Sequence, residues 1–93
     1  MKEGTILLVR IYRKKNFGIY KDINDSYIIW NTEKEFNNGH IHIDNYKLAK
    51  HIIDLVINNK IPHKNRRNIL ILLKRISTDS YYIKKINKLL KQG

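Results

Sequence analysis

His40-Ile41-His42-Ile43-Asp44-Asn45-Tyr46-Lys47-Leu48-Ala49-Lys50-His51-Ile52-Ile53 is where the fold turns, because the spacing of its apolar residues changes from two to about 3.6 within it. From His40 to Ile43 the isoleucines alternate with histidines, as in a short fourth strand at a sheet edge. Asp44 then reads as a helix N-cap. Ile43 before it is placed to pack on Leu48 as a hydrophobic staple, which starts a first helix at Asn45. Its buried stripe is predicted to be Ala49, Ile52, Ile53 and Val56, with Lys47, Lys50, His51 and Asp54 facing water.

Towards the N-terminus the pattern is that of strands. Thr5 to Tyr12 is apolar and β-branched on both faces, as in a central strand. Arg13-Lys14-Lys15-Asn16 reads as a turn, Phe17 to Lys21 as a second strand, Asn24-Asp25 as another turn and Ser26 to Asn31 as a third strand. Thr32 to Gly39 is a polar loop. Towards the C-terminus, Asn58 to Pro62 ends the first helix. A second helix is predicted from about Lys64 to Ile76, burying Ile69, Leu72, Leu73 and Ile76. Ser77-Thr78-Asp79 then opens a third to about Lys91, burying Ile83, Ile86 and Leu90. The expectation is an α+β fold: an N-terminal three-stranded antiparallel β-meander, with the short fourth strand, followed by three α-helices. It is one domain over 1–93, with meander and loop over 1–43 and a basic three-helix unit over 44–93.

Ninety-three residues make one small domain, and the absence of cysteine excludes disulfides and thiolate chemistry. A core this small stabilises itself by packing or by pairing with a second copy, so a homodimer is one expectation. No apolar run reaches the roughly 18 residues of a membrane span, and Met1-Lys2-Glu3-Gly4 lacks the features of a signal peptide, so a cytoplasmic protein without membrane contact is expected. Nineteen Lys and Arg against eight Asp and Glu give +11. Residues 1–46 hold seven basic and six acidic side chains, whereas 47–93 hold twelve and two, so the excess lies in the helical half. AT-rich codons would explain Lys over Arg, but they would also enrich Glu. A basic half-domain favours a polyanionic partner.

Two helices joined by a three-residue turn, the second one basic, have the layout of a helix-turn-helix, although any small helical hairpin looks similar. On the third helix Lys84, Lys85, Lys88 and Lys91 fall opposite the apolar stripe, with Tyr81 among them. That arrangement suits nucleic acid, with lysines on phosphates and a ring for an unpaired base. Tyr81 has a second reading, as a staple against Ile76 with Ser77 as the cap. On the second helix Ile71 projects from a face carrying Lys64, Arg67, Lys74 and Arg75, either as the centre of a contact patch or because that helix is buried nearly all round. Trp30, Tyr27, Tyr12 and Tyr20 read as core or interface aromatics, or as a sheet face for single-stranded RNA.

His40 and His42 point to one face of a strand but are too few for a metal site, and no spacing completes them. Neither a phosphate-cradling glycine loop nor a nucleophile elbow occurs, so no cofactor and no catalysis are expected. The sequence therefore points to a small basic nucleic-acid-binding module, with DNA or RNA contacted through Lys64, Arg67, Ile71, Lys74, Arg75, Tyr81, Lys84, Lys85 and Lys88. The alternative is a protein-binding inhibitor from a phage or mobile element. Such an anti-CRISPR-like protein would use the same surface to block the nucleic-acid channel of a nucleic-acid-binding host complex.

Overall fold

The computed structural model describes residues 8–21, 26–64 and 66–92. Its elements are β1 (Val9–Lys14), β2 (Phe17–Lys21), β3 (Tyr27–Asn31), the single turn α1 (Phe36–Gly39), β4 (His40–Ile43), α2 (Tyr46–Ile57), α3 (Arg66–Ile76) and α4 (Ser80–Lys91). The strands form one antiparallel sheet in the order β1-β2-β3-β4, so this is an α+β fold and the fourth strand is a true edge strand. No helix among the described residues is long and apolar enough to cross a membrane.

Several boundaries differ from the sequence reading for physical reasons. β1 runs on to Lys14 because the hairpin needs only Lys15 and Asn16, with Lys15 at φ 55. A positive φ at the first central residue gives a two-residue turn the twist its strands require. β1 is an edge strand and not a central one: Val9 and Ile11 are exposed, and the register shifts between Arg10 and Tyr12. The predicted turn at Asn24-Asp25, and Thr5 to Leu7 of the first strand, lie outside the described residues. The polar loop contains α1, and the cap of α2 is Asn45 in place of Asp44. The Asn45 carboxamide oxygen accepts from the Leu48 N–H at 2.9 Å, so the helix starts one residue later.

Alternation along the strands gives the sheet two different faces. Phe17, Ile19, Ile29, Ile41 and Ile43 point to the side covered by α2 and α3, where they join Ala49, Ile52, Ile53, Val56, Ile69, Leu73 and Ile76 in the core. Leu55 and Leu70 are buried as well, and Leu72 is only half-buried, so the α3 stripe is turned slightly from the predicted one. α2 packs on β2, β3 and β4, α3 on β4 and α1, and α4 on α3. The end of α2 is a Schellman turn: Lys60 N–H bonds to Leu55 O at 2.9 Å and Asn59, at φ 52, to Val56 O at 3.4 Å. On the other face of the sheet, Arg10, Tyr20, Ile28 and His42 form one cross-strand row, and Arg13, Gly18, Trp30 and His40 the next.

Candidate nucleic-acid interface

The frame of α4 is set by Asp79, whose carboxylate accepts from the Tyr82 N–H at 3.0 Å. This cap sits two residues after Ser77, the one assumed for the staple, and the shift decides which tyrosine turns inward. Tyr82 is buried at 2% exposure and its hydroxyl donates to Lys60 O at 2.6 Å. Desolvation pushes its phenol up to about 12. Tyr81 is 79% exposed, which overturns the staple reading. The predicted α4 stripe moves with the cap: Tyr82 and Ile86 are buried, whereas Ile83 and Leu90 are half-buried. Ser77 instead packs at 2% exposure, its hydroxyl accepting from the Asp79 N–H.

Tyr81, Lys84, Lys85 and Lys88 stand at helical spacings of three and four and line one shallow depression of about 390 Å³. None of the three lysines makes a hydrogen bond or ion pair with the other described residues. Lys88 and Lys91 lie in the last turn, where the helix dipole favours cations. That accounts for part of the charge, but not for Lys84 and Lys85. Both carboxylates of the helical half are engaged elsewhere. Asp54 takes the Lys14 ammonium at 2.9 Å, a bond that raises the Lys14 pKa first by hydrogen bonding and then by charge. Asp79 caps α4 and holds the Asn59 amide at 3.2 Å through its other oxygen. The basic side of α4 is left without a counter-charge from them.

The α3 residues are not equivalent. Lys64 is exposed but lies in the bend before the helix, which begins at Arg66. Arg67 donates to Leu90 O at 3.3 Å and ties the start of α3 to the end of α4. The Arg75 guanidinium bonds to His40 O at 2.9 Å and Asn37 O at 2.8 Å, fixing the end of α3 to α1 and β4. Lys74 is exposed. Ile71 is 49% exposed, so α3 is not buried all round.

The aromatic residues fall on opposite sides of the sheet. Tyr12 and Tyr27 pack against Tyr46 at the helix side, with the Lys50 ammonium 5.5 and 5.2 Å from the Tyr12 and Tyr46 rings. Tyr20 and Trp30 lie on the other side, 5.9 Å apart, and Trp30 meets Phe36 at 5.6 Å. Phe36 stacks on His40 at 4.0 Å, and His40 is 5.0 Å from His42. Period two already separates Tyr27 from Trp30 in the sequence, whereas the arrival of Phe36 through α1 leaves no sequence signal. Among the described residues no three His, Cys, Asp or Glu side chains come together as metal ligands. The chain matches no known protein family model, no curated protein and no solved structure.

Proposed function

We propose that this chain is a small, cytoplasmic nucleic-acid-binding module that grips phosphates through α4. The observation that carries this reading is the shared face of Tyr81, Lys84, Lys85 and Lys88, exposed and without a described acidic partner. Lysines there act as mobile point charges on phosphates, releasing condensed counterions, and the exposed ring lies where a sugar or base would pass. Lys64 and Lys74 add charge from the α3 side, while Arg67 and Arg75 position backbone as well as carry charge. Ile71, exposed on the same helix, is the proposed contact between two copies in a homodimer.

Affinity measured against salt tests the α4 contact. Each phosphate neutralised adds about 0.7 to 0.9 to the slope of log affinity against log salt, so Lys84→Gln, Lys85→Gln and Lys88→Gln together should flatten it by about two to three. An unchanged slope places the contact elsewhere. Failure to bind any DNA or RNA at low salt would replace nucleic acid with an acidic or nucleic-acid-bearing protein surface, the partner of a phage-type inhibitor.

A further inference from the structure

We propose that the face of the sheet turned away from α2 and α3 is a second binding surface, a stacking platform for the unpaired bases of single-stranded nucleic acid. This builds on the reading of the chain as a nucleic-acid binder and adds the strand type and a surface on the side of the sheet opposite α2 and α3, where α1 contributes Phe36. Tyr20, Trp30, Phe36, His40 and His42 form a continuous run of rings there, each within 4.0 to 5.9 Å of the next. His42 is exposed and the others are half-buried. Gly18 is part of the design. A Cβ at that position would come within 2.9 Å of the Tyr20 ring, so the missing side chain lets the ring lie down on the sheet beside Trp30. Between Tyr20 and His42 in the cross-strand row, Ile28 is buried at 3% although it belongs to the face away from the helical core.

Charge selects the occupant. Arg10 and Arg13 stand at the β1 end of the two cross-strand rows, next to Tyr20 and Gly18. Arg75 sits at the other edge, bonded to His40 O. No Asp or Glu occurs in any of the four strands. Rings in the middle with cations at both edges suit a chain that carries flat bases and a phosphate backbone. A paired base has no free face to offer such rings, so duplexes are excluded from this surface. A second copy of the chain would bring arginine against arginine across the same face.

Trp30 is the only tryptophan in the chain, so its emission reports on this face alone. Titration with a ten-nucleotide oligo(U) or oligo(dT) should quench it saturably, and a fully paired duplex of equal charge should not. Tyr20→Leu keeps the apolar volume and loses the ring, and should weaken single-strand binding about tenfold, whereas Tyr20→Phe should bind as the parent does. His42→Ala, at an exposed position, should also weaken binding with an unchanged melting temperature, which separates a lost contact from a lost fold. Absence of quenching, equal quenching by duplex, or parental affinity in both Tyr20→Leu and His42→Ala would overturn the proposal. So would emission that shifts with protein concentration alone, since a second copy would then occupy the face. The two surfaces fail separately. If the triple lysine variant flattens the salt slope while Trp30 never responds, the α4 contact stands and the platform falls; ring-dependent quenching with an unchanged slope gives the reverse.

Discussion

Asn31 joins three parts of the molecule at one buried point. Its amide donates to Ile76 O at 2.7 Å, and its carbonyl oxygen accepts from the Asn16 amide at 2.7 Å and the Glu33 N–H at 2.9 Å. A fully buried carboxamide is tolerated only with its groups satisfied, and here those bonds fasten the β1–β2 turn, the end of β3 and the C-terminus of α3. Lys34 adds a bond to Arg75 O at 2.8 Å, placing a cation at the same helix end. Only the Glu33 bond is local; the partners that tie Asn31 into the fold lie 15 and 45 residues away and leave no sequence signal. Tyr82 is the other residue whose role depends on distant chain, and it gives a pH test. Its phenol ionises near 10 when unfolded and is pushed up to about 12 in the fold, so the neutral form is favoured by folding. The stabilisation is complete below pH 10 and is lost as pH rises from 10 through 12. Urea unfolding from pH 8 to 12 should show Tyr82→Phe less stable than the parent at pH 8, and the difference should shrink or reverse near pH 12. A constant difference across that range would mean the phenol is not desolvated as described.

At the scale of the element, α4 depends on its cap. Asp79→Ala removes the acceptor of the Tyr82 N–H and frees the Asn59 amide, and should cost about 1 to 2 kcal/mol in urea unfolding. Asp79→Asn retains a side-chain oxygen and should recover most of the loss. Equal loss in both variants would assign the effect to charge rather than to the cap. The same cap explains which parts of the sequence were legible. Period and polar clusters placed the strands and the three long helices because each buries one face for reasons visible locally. Cap residues are less legible: Ser77, Thr78 and Asp79, like Asp44 and Asn45, are all competent, and the choice is made by tertiary packing. A two-residue shift exchanges Tyr81 for Tyr82 at the core. Tyr81, Lys84, Lys85 and Lys88 still emerged together because their mutual spacing does not depend on where the helix starts. The anchoring role of Arg75 has no local signal, because its carbonyl partners lie on β4 and α1, 35 and 38 residues away.

At the scale of the whole molecule, a net charge of +11 on 93 residues opposes self-association as strongly as it favours a polyanion. The β1 edge shows one consequence. Val9 and Ile11 are exposed on an edge strand, yet Arg10, Arg13 and Lys14, together with the register shift, discourage edge-to-edge pairing. Ile71 lacks such protection by a bulge, but Lys74 and Arg75 follow it on α3, so two copies meeting at Ile71 bring like charges together. The proposed dimer should therefore be weak at low ionic strength and strengthen with salt, as the screening length falls from about 10 Å at 0.1 M to about 3 Å at 1 M. Nucleic-acid binding has the opposite salt dependence, so the same chain would be driven towards dimer and away from ligand by one variable. Light scattering after gel filtration at 0.1 and 1 M salt should show the dimer fraction rising, and Ile71→Lys should abolish it at both. A monomer at every salt concentration removes the dimer from the proposal. A dimer that persists in Ile71→Lys moves the interface off α3, and Trp30 emission would then show whether the aromatic sheet face had taken its place.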